Sequence, residues 1–338
     1  MSSKNELYNT PFSHIYVEKG AENTITVQKI ISKFKNAKVI SIDDYRDVFF
    51  RPKQDNGKQR NTQALILAVN KDKLIYQGSP MCQNFNNENF YYSSCVMNCI
   101  FDCEYCYLKG MYQSANIVVF VNIEDYFSQI SELCRDKKIY LCVSYDTDLI
   151  ALDSVTGYVK KWADFTSNEP NLSVEIRTKS FRRDLYDKLE PCERVIFAYT
   201  VSPDEVISKY EHKTSSLKER LEAAQYAIKR GFKVRFCFDP MIYCENYKQH
   251  YSDMVNKISE YIDWNDLWDV SMGSFRISKE YLKDMRKNYP YSAVCQFPFD
   301  TVEGVCQYPK HIKDEMEKYL FALLTKHMDK DKIFEVDY

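Results

Sequence analysis

The 338-residue sequence contains no run of 18 apolar residues, so nothing in it reads as a membrane-spanning helix. Its first residues, Met1 to Glu6, also lack the apolar stretch of a secretory signal. The expectation is a cytoplasmic protein with no membrane partner. Internal repeats and low-complexity tracts are missing as well, which sets aside solenoid architectures. There is no excess of positive charge: 46 Lys and Arg stand against 48 Asp and Glu, for a net charge of −2. Any nucleic acid this chain binds must therefore sit in a local basic groove. Glycine is scarce at 8 while tyrosine reaches 27, a bias that an AT-rich genome produces without functional cause. What is present is an ordinary globular mix, 45% hydrophobic and 28% charged, long enough for one large domain and a smaller one. Its 12 cysteines, in a reducing compartment, are free thiols or ligands rather than a disulfide framework.

Four of those cysteines crowd into residues 95–106, and Cys99, Cys103 and Cys106 satisfy CxxxCxxC. Starting from Cys95, the third position falls on Asp102. Three thiolates on one tight loop can hold three irons of a [4Fe–4S] cluster and leave the fourth iron open. That iron can chelate S-adenosylmethionine and make the cluster a radical generator. Structural zinc sites usually come as two CxxC pairs, and the second pair is absent here. Tyr105, just before the last cysteine, suits a cluster that must stack an adenine. An open iron tolerates oxygen poorly, which points to anaerobic or low-oxygen life.

The expected fold class is α/β: a partial (β/α)6-type barrel of the radical S-adenosylmethionine superfamily with a small N-terminal α/β appendage. The appendage is drawn as residues 1–87, with strands at 12–17, 37–42 and 64–69, a helix at 27–35 and an exposed basic loop at 51–62. The barrel, with a C-terminal region of its own, is drawn as residues 88–338. Its buried parallel strands are expected at 117–121, 139–143, 172–176, 195–201 and 232–238, with the cysteine loop following a first strand near 90–93. Between them lies an amphipathic helix at 217–230, with a capping box of Ser216 and Glu219 and a closing Gly231. Active-site groups of such folds gather at the C-terminal ends of the strands.

Four segments, in order, resemble the spore photoproduct lyase family, in a clostridial-like variant. They are CIFDCEYCYL at 99–108, DTDLIALDSVTGYVKK at 146–161, IRTKSF at 176–181, and 199–240 with its YTVS, KTSSLKERLEAA and RGFKVRFCFDP. The resemblance covers roughly residues 88–290, and the first 80 match more loosely. It implies a radical S-adenosylmethionine lyase that reverses spore photoproduct, 5-thyminyl-5,6-dihydrothymine, to two thymines. The adenosyl radical takes a hydrogen from C6 of the lesion, the bond between the thymines breaks, and a protein donor quenches the product radical. The lesion must leave the DNA stack to react, at a cost of about a few kcal/mol that is lower for a damaged site. The implied partners are DNA carrying the thymine dimer and an electron donor such as flavodoxin or ferredoxin, in the spore or germinating cell.

Residue roles follow from the resemblance. Tyr105 faces the cofactor and Tyr107 occupies the radical-relay position; a tyrosine packing the loop is the bland alternative for each. Thr147, Asp148, Lys179 and Thr200 fall where relatives contact the cofactor at strand ends, with the Lys179 ammonium suited to the methionine carboxylate. Asp239 stands where relatives carry a small residue, and either accepts from the ribose hydroxyls or caps the turn before Pro240. The hydrogen donor departs most from the family. Many members carry a cysteine eight residues before Asp153, and here that position is Tyr145. Cys142, three residues earlier along a strand, is expected to face away from the cavity. Cys82 is the proposed replacement donor, with Tyr107, and Cys95 is a weaker candidate. Arg276 matches an arginine that touches the lesion strand. The C-terminal hairpin of the family looks shortened to VCQYPK at 305–310, where Tyr308 and Lys310 would wedge the duplex and neutralise phosphate, or merely form a solvated turn. Two other readings stay open: a radical enzyme acting on a peptide or RNA, and a metal-stabilised nucleic-acid-binding module without catalysis.

Overall fold

The computed structural model describes residues 12–79 and 82–336. Its main sheet has eight strands. An antiparallel edge strand, Ile75–Gln77, is followed by Phe90–Ser93, Ile139–Cys142, Leu172–Thr178, Val195–Thr200, Lys233–Met241, Asp269–Ser274 and Ile333–Glu335, all parallel. We call the six strands from Phe90–Ser93 to Asp269–Ser274 the first to sixth barrel strands. The order has two ends, so the sheet is a partial barrel rather than a closed one. Among the described residues no helix is long and apolar enough to cross a membrane.

A second sheet holds Lys38–Ile42, His14–Glu18, Leu65–Ala68, Ile117–Phe120 and Val96–Met97 in that order. This corrects the strand expected at 117–121. It is not a barrel strand but pairs in parallel with Leu65–Ala68. A fully buried apolar run looks the same in either sheet, and only long-range pairing assigns it. The second sheet thus takes two strands from beyond residue 87, one on each side of the cysteine loop. The segment read as a free basic loop at 51–62 also has structure: a short helix, Asn56–Gln59, whose Asn56 is buried.

The helix Leu217–Lys229 forms as its pattern dictates. Ser216 accepts from the Glu219 amide, Glu219 returns to the Ser216 amide, and Gly231 closes the end with φ +88°. On the following strand, alternation sends Arg235, Cys237 and Asp239 into the barrel. The interior is consequently ionic. Arg235 donates to Glu175 and to Asp269, each at 2.6 Å, and Tyr140 donates to Glu175 at 2.6 Å. Arg235 is 1% exposed, so the two carboxylates around it offset the cost of burying its charge. Arg235→Ala leaves two buried carboxylates facing each other. It is expected to cost about 3–5 kcal/mol, read as a lowered urea midpoint at unchanged m-value.

Candidate active site

At the C-terminal ends of the barrel strands lies a cavity of about 480 Å³, and Cys99, Cys103 and Cys106 all line it. The loop carrying them is anchored before its first cysteine. Asn98 sits at φ +73°, a region asparagine tolerates, and its side chain donates to the carbonyls of Ser114 at 2.8 Å and Asn116 at 3.1 Å. Asp102, between the first two ligand positions, accepts from Tyr289 at 2.6 Å and Arg60 at 3.3 Å and faces Lys109 at 3.4 Å. Arg60 thus reaches from the segment read as free loop to the back of the cysteine loop.

Burial pushes the Cys99 thiol up to about 12 and the Cys103 thiol well above its ordinary value. Three sulfur donors on one loop, all facing the same cavity, are a donor set that fits a soft metal centre, whose charge would draw off the thiol protons. Among the described residues no three His, Cys, Asp or Glu side chains converge on one ion position. In a cube each thiolate binds its own iron, so convergence is not required. Cys95 is fully buried in the second sheet and does not line the cavity.

Behind the loop stands a group that the sequence reading missed. The Tyr105 hydroxyl donates to Glu211, which also accepts from Ser202 at 2.8 Å and pairs with the fully buried Arg220. Burial disfavours the Glu211 carboxylate, but Arg220 and Lys179 outweigh it and hold its pKa down at about 2. Tyr105 lines the cavity with its ring while its hydroxyl is committed to Glu211. The Lys179 ammonium lies 5.7 Å from the centre of that ring. Burial works against its charge, yet Glu211 and Cys103 raise its pKa above the usual lysine value.

The strand-end residues separate into braces and free groups. Asp148 is a brace: it accepts from Thr178 at 2.9 Å, from the Lys179 amide at 2.7 Å and from the Ala151 amide at 2.9 Å. Asp239 is tied to Arg177 at 2.8 Å and to Ser271, which keeps its carboxylate below its ordinary pKa despite burial. Thr147 differs. Its Oγ1 is buried, lines the cavity and has no hydrogen-bond partner. A buried hydroxyl left unpaired costs about 1–3 kcal/mol, so it awaits a ligand atom. Thr200 also lines the cavity, its carbonyl accepting from Arg220 at 3.0 Å.

On the opposite wall the Cys82 sulfur lies 3.5 Å from the Tyr145 hydroxyl, and both side chains line the cavity. Of the segment read together with Cys82, Pro80 and Met81 lie outside the described residues. The rings of Tyr145 and Tyr107 are 5.9 Å apart, and the Tyr107 hydroxyl bonds to the Tyr145 carbonyl and lies 3.4 Å from Asp146. Cys142 corrects the reading that turned it away from the cavity. The strand ends at Cys142, so strand alternation does not carry on to Tyr145, and both residues line the cavity. The Cys142 thiol points at Glu175, 3.9 Å away.

The C-terminal region corrects another expectation. Tyr308 is 1% exposed, its hydroxyl accepts from the Tyr243 amide at 3.0 Å, and its ring packs against Phe297 and Phe299. A ring so enclosed cannot wedge a duplex. Lys310 begins the helix Lys310–Leu324 with its ammonium 3.2 Å from Asp314 and exposed. Arg276 does line the cavity mouth. Its strand, Arg276–Ser278, pairs with Val305–Gln307, which forms a hairpin with Asp300–Val302 turning at Glu303 and Gly304.

The sequence model of the family described as spore photoproduct lyase matches residues 12–325. The chain belongs to that family. A spore photoproduct lyase of Clostridium acetobutylicum is 24% identical over 327 residues, covering 91% of this chain and 92% of its own. One from Bacillus subtilis is 22% identical over 286 residues, covering 82% of each chain. Among solved structures, a spore photoproduct lyase double mutant with bound AdoMet and dinucleoside spore photoproduct superposes with a TM-score of 0.82 at 20% identity, covering 97% of this chain and 99% of that one. A tyrosine-to-phenylalanine mutant of spore photoproduct lyase gives 0.82 at 19% identity, with the same coverage. Similarity at that level shows the fold of a spore photoproduct lyase, and the cavity shows how this member fills it.

Because the Glu211 pKa is depressed when folded, its contribution to stability is complete above the unfolded value of about 4.3 and fades as pH falls towards about 2. Urea midpoints followed downward from pH 6 should show this acid limb. Glu211→Gln should flatten it while lowering stability at neutral pH, since Arg220 is left buried without its partner.

Proposed function

We propose that the chain repairs spore photoproduct in DNA, with the cavity holding a [4Fe–4S] cluster on Cys99, Cys103 and Cys106 and S-adenosylmethionine beside it. The observation that carries this reading is the convergence, in one cavity, of the three loop thiols, an unpaired buried hydroxyl at Thr147, the Lys179 ammonium and a separate thiol at Cys82. Bound there, the cluster and its cofactor supply a carbon radical able to abstract hydrogen. Lys179 holds the methionine carboxylate, Thr147 takes a hydrogen bond that the protein leaves open, and the Tyr105 ring walls the cofactor. Asp239, fixed by Arg177 and Ser271, presents its carboxylate to ribose hydroxyls, with Thr200 nearby. Asp148 acts through the loop it braces.

The lesion enters flipped out of the duplex, past Arg276 at the mouth. After the bond between the thymines breaks, the Cys82 S–H gives its hydrogen atom to the substrate radical. A C–H bond forms on the thymine, and the unpaired electron stays on sulfur. The Tyr145 hydroxyl, 3.5 Å from that sulfur, then gives up its hydrogen atom to re-form the S–H bond, and Tyr107 gives its own hydroxyl hydrogen to Tyr145, which leaves the radical on the Tyr107 oxygen. Electrons to start the reaction come from an external one-electron donor of the flavodoxin or ferredoxin kind, and a cytoplasmic setting agrees with the family.

Reduced, iron-loaded protein incubated with S-adenosylmethionine and a synthetic dinucleoside spore photoproduct, which lacks the phosphodiester, should release two thymidines. Formation of 5′-deoxyadenosine without thymidine would redirect the reading to another substrate, such as a peptide or RNA. Cys82→Ala should slow release about tenfold or more, ~1.4 kcal/mol or more on the barrier, or divert product to adducts. Thymidine release at the parent rate would remove Cys82 from the chemistry. Thr147→Val should weaken S-adenosylmethionine binding about two- to tenfold, the worth of one hydrogen bond, read by titration calorimetry.

A further inference from the structure

From Tyr145 a column of stacked phenol rings runs away from the cavity. Tyr145 and Tyr92 have centroids 4.2 Å apart at 26°, and Tyr92 and Tyr76 have centroids 5.2 Å apart at 15°. Tyr92 and Tyr76 are directly paired across the strands Phe90–Ser93 and Ile75–Gln77. Neither lines the cavity, and both are half-buried. At the inner end the Tyr145 hydroxyl meets the Cys82 thiol at 3.5 Å. At the outer end Lys73 lies over Tyr76, 5.4 Å from its centre, on the sheet's antiparallel edge. The Tyr145–Tyr107 ring separation, at 5.9 Å, is wider than either step of the outward column.

We propose that Tyr145, Tyr92 and Tyr76 form an outward path that drains a stranded radical from Cys82 to the protein surface. The inference rests on the reading of Cys82 as a hydrogen donor. A thiyl left on Cys82 takes the hydrogen atom of the Tyr145 hydroxyl: the S–H bond forms, the O–H bond breaks, and Tyr145 becomes the phenoxyl radical. An electron then passes from the Tyr92 ring to Tyr145, which regains a proton, while the Tyr92 phenol releases its own to water. The same exchange moves the radical to Tyr76. There a small thiol in solution supplies a hydrogen atom, restoring the phenol, and two of the thiyls formed in this way combine to a disulfide. Tyr145 is thereby a branch point between Tyr107, which leads toward the cofactor side, and Tyr92, which leads out.

A cross-strand tyrosine pair also packs an edge strand, and Tyr-to-Phe changes separate the two roles because they keep the ring and remove the oxidisable phenol. The test uses the full chain with its cluster in place, Cys192 and Cys244 replaced by serine, and Cys82 joined to an aryl thiol. A light flash that splits this disulfide creates the Cys82 thiyl without lesion or S-adenosylmethionine. The outcome is therefore independent of whether the chain repairs DNA. The expected result is a tyrosyl signal by electron paramagnetic resonance whose decay speeds up with added thiol. In Tyr92→Phe and Tyr76→Phe the thiol sensitivity is lost and the inner radical lives severalfold longer, while Tyr92→Trp restores drainage. Under turnover, Tyr76→Phe keeps the initial rate but completes severalfold fewer turnovers before inactivation. Unchanged lifetime and thiol sensitivity in both phenylalanine variants would overturn the proposal.

Discussion

One buried carboxylate, Glu211, holds the catalytic half of the molecule together. It receives the hydroxyl of Tyr105 from the cysteine loop, that of Ser202 from the end of the fourth barrel strand, and the guanidinium of Arg220 from the helix that follows. Its short strand, Glu211–His212, pairs with Asp102–Cys103, so backbone and side chain tie the same loop. Its charge also supports the Lys179 ammonium. A carboxylate so enclosed persists only while all these partners stay in place. The cysteine loop, the third strand end and the fourth strand end are therefore set by a common interaction. The precision of the cavity depends less on the loop's own rigidity than on this shared anchor.

The opposite side of the loop is held by a second anion. Asp102 sits between Cys99 and Cys103 and gathers Arg60, Lys109 and Tyr289, with Arg60 also lying 4.2 Å from the Tyr289 ring centre. Arg60 belongs to the N-terminal part of the chain and Tyr289 to the C-terminal part. Three distant stretches of sequence thus meet behind one cysteine loop. The second sheet accordingly does more than stand beside the barrel: it supplies strands on both sides of the loop, and the connection between two of its strands supplies a cation at the loop's back.

The residues legible in the sequence were those whose signal is local. The CxxxCxxC loop, the capping box of Ser216 and Glu219, and the strand expected at 232–238 are all found in the structure, because each is written in fewer than fifteen neighbouring residues. Thr147 and Lys179 were found through motif order and do line the cavity. What could not be read depends on distant pairing. The run at 117–120 has no label saying which sheet it joins. Tyr308 looks like a free aromatic in a turn until Phe297, Phe299 and Tyr243 enclose it. Glu211 and Asp102 look like ordinary surface acids until their cations arrive from 9 and 42 residues away. Cys142 was misplaced because alternation was extended past the end of its strand.

On the proposed reading of Cys82 as donor, the wall formed by Cys82 and Tyr145 explains how a family position can change its residue and keep its chemistry. A hydrogen donor must bring an X–H bond to the substrate radical, and that requirement concerns a point in space rather than a position in the chain. Tyr145 fills the strand-end position with a ring that reaches further than a thiol, and the end of that ring meets the Cys82 sulfur arriving from before the first strand. The two residues therefore occupy one locus from two directions, with Tyr92 stacked behind to fix the ring of Tyr145. A tyrosine at this place both positions the sulfur and offers an oxidisable phenol within contact of it. A small apolar residue there would do neither, so Tyr145 and Cys82 are best understood as a single unit of this cavity.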